Sequence, residues 1–86
     1  MAANAQSIRI RGETHSITRE DVIAVAHRES PRRLNAYYVE IEGRRFPPKQ
    51  LLRGAIPGAR EFDTSLAVRT LEGLGFDVRR VDGSPG

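Results

Sequence analysis

A chain of 86 residues with no cysteine, no tryptophan and a net charge of +3 has room for one modest, mostly aliphatic core and no second domain. Disulfides, thiolate metal sites and cysteine nucleophiles are excluded, and no apolar run approaches the ~18 residues that a membrane span needs. The opening MAANAQS is polar and uncharged, so no signal peptide is expected and the chain reads as cytoplasmic.

Residues 1–6 read as a disordered start. In SIRIRGETHSI, Ile8 and Ile10 alternate with polar residues up to Gly12, which predicts a short strand and a hairpin closing near that glycine. SITREDVIAVAHRES then carries a helix start: Thr18 fits the N-cap, Glu20 and Asp21 occupy the first turn, and Ile17 can staple back. Anions in that turn complement the helix dipole. Val22, Ile23 and Ala26 give the apolar stripe, and the helix runs to Arg28 or Glu29 before Pro31 stops it.

NAYYVEIEGRRF reads as strand, turn, strand: Tyr37, Val39 and Ile41 alternate with Tyr38, Glu40 and Glu42, and Gly43 supplies the turn. The prolines of PPKQLLRGAI suit a first helical turn, and this short helix ends at or before Gly54. After a loop, Asp63 or Thr64 caps SLAVRTLEGL, with Leu66, Ala67, Leu71 and Leu74 on one face. Gly75 is placed as the C′ residue and Phe76 as its folded-back hydrophobic contact. FDVRRV closes as a strand with Phe76, Val78 and Val81 as core candidates, and residues 83–86 read as a disordered end. The expected domain therefore spans 7–82, in the order β-α-β-β-α-α-β: an α+β domain with a small, largely antiparallel sheet.

The charge is unevenly spread. Residues 43–60 hold five basic side chains (Arg44, Arg45, Lys49, Arg53 and Arg60) and no acid, whereas the rest of the chain has nine basic and eleven acidic ones. A localised positive stretch is the footprint expected for a polyanion. The competing reading is a solvated face whose counter-charges come from Glu40, Glu42 and Glu61. A stiff Phe46-Pro47-Pro48 turn feeding a helix, with Lys49 and Arg53 one turn apart on one face, suits phosphate. Arg44 or Arg45 can also read a guanine edge through a bidentate contact. Arg32 and Arg33, with Arg28, extend the patch or form a solvated loop. Of Tyr37 and Tyr38, one is expected in the core; Tyr38 is the candidate stacking face for an unpaired base. His15 and His27 have no cysteine or acidic cluster to complete a metal site. The serines lack any nucleophile motif, so no enzyme activity, cofactor or small-molecule substrate is expected.

The ordered set Ile17-Thr18-Arg19-Glu20-Asp21-Val22-Ile23-Ala24-Val25, Gly43-Arg44-Arg45-Phe46, Pro48-Lys49 and Leu74-Gly75-Phe76-Asp77-Val78 resembles the N-terminal head domain of actinobacterial McrA-type (ScoMcrA-like) restriction endonucleases, over residues 17–81. In that family the head domain binds DNA and is associated with recognising modified (methylated) DNA, ahead of a sulfur-binding domain and an HNH nuclease. This sequence has no nuclease motif, and its segment HRESPRRLNA is shorter than the family's. The resemblance implies a bacterial DNA-binding role; with the charge pattern, the expectation is a stand-alone module on double-stranded DNA, nucleoid-associated, using Arg44, Arg45, Lys49, Arg53, Arg60, Arg32 and Arg33, with a homodimer as the way to multiply the few contacts of a small domain. The alternative is a protein–protein adaptor or inhibitor-type domain that docks through a sheet edge or the tyrosine face without nucleic acid.

Overall fold

Two dipeptides that end in glycine, Arg11-Gly12 and Glu42-Gly43, set both hairpins. All four residues have positive φ: 52° and 85° in the first turn, 52° and 81° in the second. That pair of values marks a two-residue type I′ turn, whose twist matches that of paired strands and whose second position favours glycine. The structure is a computed structural model and describes residues 5–34, 36–59 and 62–81. Its elements are β1 (Ala5–Ile10), β2 (Glu13–Thr18), α1 (Arg19–Arg28), β3 (Tyr37–Ile41), β4 (Arg44–Phe46), α2 (Pro48–Ala55), α3 (Thr64–Gly73) and β5 (Val78–Arg80). This is the expected α+β order, with the first strand realised as a full hairpin. The strands form two antiparallel sheets, β1-β2 and β4-β3-β5.

β1 begins earlier than the alternation of Ile8 and Ile10 indicates. Ala5 and Gln6, expected in a disordered start, pair with Thr18 and Ile17. The Gln6 amide also donates to the Gly73 carbonyl at 3.2 Å. A polar side chain satisfied by a helix end 67 residues away leaves no trace in local periodicity. The expectations of disorder at residues 1–4 and 83–86 lie outside the described residues.

Each helix follows from its end residues. Thr18 accepts from the Asp21 N–H at 3.1 Å, and Asp21 returns a carboxylate oxygen to the Thr18 N–H at 3.0 Å, a reciprocal capping box. Ile17 and Val22, on either side of that cap, are both fully buried, as a hydrophobic staple requires. Asp63 caps α3 through the Leu66 N–H at 2.9 Å. At the other end, Gly75 N–H reaches the Glu72 carbonyl and Phe76 N–H the Leu71 carbonyl, both expected for a Schellman closure. α2 runs one residue past Gly54 rather than stopping there. The reason is packing: a Cβ on Gly54 would stand 2.7 and 2.9 Å from the methyls of Val25, so this glycine lets α1 and α2 approach closely.

The core joins both sheets to the helices. Phe46, Ile17, Leu51, Leu52, Leu71 and Leu74 are fully buried, each stabilising by about 1.5–3 kcal/mol relative to exposure. Val39 and Ile41 of β3 are buried too, whereas Phe76, Val78 and Val81 are half-buried at its margin rather than inside it. Phe46 turns inward at the end of β4, and Pro47-Pro48 then redirects the chain into α2.

Candidate nucleic-acid interface

α2 starts from Pro47, whose side chain cannot cap it, with Pro48 in the first helical turn and no acid there. Lys49 and Arg53 share one face, one turn apart, and Phe62 lies beneath both: its ring centroid is 5.9 Å from Lys49 Nζ and 6.0 Å from Arg53 Cζ. Cations at this distance are drawn weakly to the ring, and the aromatic gives their stems something to lie on.

Gln50, between Lys49 and Arg53 in the chain, is 8% exposed. Its amide donates to Glu29 Oε1 at 3.1 Å and to the Ser30 carbonyl at 2.9 Å, while its oxygen accepts the Arg32 N–H at 2.9 Å. Arg28 adds a bond from its guanidinium to the Gly54 carbonyl at 2.9 Å. The segment after α1 is thereby held against α2. The result is an open groove of about 360 Å³ lined by Arg32, Arg33, Lys49 and Arg53, with Glu29 as the only acid on its wall among the described residues. Arg32, Arg33 and Arg53 are exposed, and Lys49 is half-buried. The two basic groups of the sequence, 17 residues apart from Arg32 to Lys49, meet here.

The arginine pair of β4 does not join them. Arg45 faces the outer side of the β4-β3-β5 sheet, with its guanidinium 4.7 Å from the Tyr38 ring centroid. It lines a separate depression with Glu40, Glu42, Asp77 and Arg79. For Arg45, counter-charges from Glu40 and Glu42 are therefore present as the solvated-face reading requires. Arg79 belongs to the same mixed face; a side-chain hydrogen bond and the charge of Asp77, 2.9 Å away, hold its guanidinium above its ordinary value. Arg44 stands exposed beside the hairpin turn, opposite Ile41. Glu42 in that turn bonds to His27 at the end of α1, 2.6 Å apart.

Tyr37 and Tyr38 are both half-buried, rather than one inside and one out. One face of Tyr38 is already occupied by Arg45, so a base stacking there must displace it or use the other face. Arg60 lies outside the described residues, as does Glu61. Among the described residues no three potential metal ligands converge, and no helix is long and apolar enough to cross a membrane.

Sequence reasoning missed Gln50 and Phe62, and placed Glu29 at the end of α1 without its bond to Gln50. The signal for Phe62 was available, an aromatic directly before the Asp63 cap. Nothing local marks Gln50, whose partners lie 18 to 21 residues away. The chain matches no protein-family model, no curated protein and no solved structure.

Proposed function

We propose that this chain is a small bacterial DNA-binding module, working in the cytoplasm without catalysis of its own, that grips the phosphate backbone of duplex DNA through the groove between residues 29–33 and α2. The observation that supports this reading is the convergence of Arg32, Arg33, Lys49 and Arg53 around one concavity whose single acid among the described residues is Glu29. Arginine forks and a lysine point charge are the side chains that bind phosphate best. Such contacts fix position on a duplex without reading its sequence. Arg44, exposed and beside a rigid turn, is the side chain left for a base edge. The resemblance to the restriction-endonuclease head domain agrees with this reading and makes methylated duplexes the first variant to compare.

The test is fluorescence-anisotropy titration with unmodified, hemimethylated and fully methylated duplexes at two salt concentrations. Four phosphate contacts predict a slope of log Kobs against log[salt] of about −3.6, at −0.9 per contact. Binding that ignores salt, or no binding at low salt, defeats the proposal and favours a protein partner.

A further inference from the structure

We infer that Gln50 is the positioning residue of the basic groove: it sets Arg32 and Arg33 opposite Lys49 and Arg53, and it keeps the Glu29 carboxylate from pairing with them. The inference rests on the reading of the groove as a phosphate site. Residues 29–33 have no secondary structure to hold them beyond the end of α1. Next to the Arg28 bond that precedes them, what ties them to α2 is a buried amide whose acceptor and two donors are all used, on Arg32, Glu29 and Ser30. A buried amide so fully paired is expensive to disturb.

Its bond to Glu29 has a second effect. One Glu29 oxygen is held by Gln50 at 3.1 Å, and the other lies against Gly54, 3.0 Å from where a Cβ would stand. The carboxylate is thus turned onto the helix backbone. Released from Gln50, it is an anion among four cations in the same groove, and its pairing with any of them subtracts a phosphate contact. An apolar side chain in place of Gln50 therefore both loosens the arginine segment and frees its quencher.

The test is the salt dependence of duplex binding for the wild-type chain, Gln50→Met, the Arg32→Ala/Arg33→Ala variant and the triple variant. Methionine matches glutamine in length and removes all three hydrogen bonds. The expected result is a slope shallower by about 1.8 to 2.7 for Gln50→Met: two contacts at about 0.9 each from Arg32 and Arg33, and up to one more taken from Lys49 or Arg53 by the released Glu29. Added to Arg32→Ala/Arg33→Ala, it removes at most that one contact, about 0.9. An unchanged slope in Gln50→Met, or an equal additional loss in the triple variant, overturns the positioning role and leaves the groove a phosphate site. A wild-type chain that binds no duplex at low salt overturns the reading of the groove itself, and this role with it. Should Gln50→Met not fold, Gln50→Asn keeps the amide but shortens its reach, and the same outcomes decide.

Discussion

The guanidinium of Arg19 donates to the Leu74 carbonyl at 2.7 Å, across 55 residues, with its Cζ 4.4 Å from the centroid of the Phe76 ring. The first residue of α1 thus supports the far end of α3, where helix carbonyls lack intrahelical partners. Arg19→Ala is expected to lower unfolding stability by about 1–2 kcal/mol, combining a charge-assisted hydrogen bond with a partly exposed cation–π contact. Urea denaturation followed by circular dichroism measures it. Arg19→Lys should recover only part of the loss, since an ammonium lacks the planar fork that reaches a carbonyl while lying on a ring. A loss below a few tenths of a kcal/mol shows that the contact contributes nothing beyond the cap of α3 itself.

Two helical glycines should answer differently to alanine. At Gly54 the new Cβ meets both methyls of Val25, a buried and stiff β-branched side chain, at 2.7 and 2.9 Å. Gly54→Ala must push α1 and α2 apart, at an expected cost of about 1–3 kcal/mol. At Gly73 the three atoms nearest to the Cβ are the amide end of Gln6, at 2.8 to 3.0 Å. That flexible end can swing away, and alanine's helix propensity offsets the lost Gln6 bond by up to about 1 kcal/mol. Gly73→Ala should therefore be near neutral in the same denaturation experiment. Equal costs at the two positions run against the close-approach account of Gly54.

The caps share one logic and can be checked together. Asp63 and Thr18 each accept a first-turn N–H at 2.9 and 3.1 Å. Asp63→Ala and Thr18→Ala should each cost about 1 kcal/mol, and the two losses should add because the caps share no partner. The Thr18 box should show a further sign: Asp21→Asn, which weakens the return bond to the Thr18 N–H, should lose less than Thr18→Ala. A thermal melt of the four variants resolves these steps, since 1 kcal/mol moves the midpoint of a domain this size by about 4–8 °C.

These features were legible in the chain because each is local. Thr18, Asp63 and Gly75 act on residues two to four positions away, and the turn glycines act on their own backbone. The grouping of charges was not. Arg45 and Lys49 are four residues apart, yet Phe46 enters the core and Pro47-Pro48 redirects the chain, so the two side chains finish in different depressions. Arg32 and Lys49 are distant in sequence, yet the buried Gln50 brings them to one groove. Sequence proximity predicts shared location only while the chain keeps one element. The dense charge of residues 42–55 spans a strand end, a sharp bend and a helix, and is divided at the bend.

That division makes charge reversal decisive for the site. If residues 43–60 acted as one patch, Arg44→Glu/Arg45→Glu and Lys49→Glu/Arg53→Glu should weaken duplex binding equally. The structure predicts otherwise. Arg45 is already stacked on Tyr38 amid Glu40, Glu42 and Asp77, so its reversal removes little free positive potential. Lys49 and Arg53 face the groove with Arg32 and Arg33, against one acid among the described residues. Lys49→Glu/Arg53→Glu should abolish measurable binding at 150 mM salt. Arg44→Glu/Arg45→Glu should weaken it by about tenfold, roughly 1.4 kcal/mol, through the exposed Arg44. Both variants keep the buried Phe46, Leu51 and Leu52 unchanged, so their circular dichroism should match the wild type. A larger loss from the β4 pair than from the α2 pair returns the site to the hairpin and removes the groove from it.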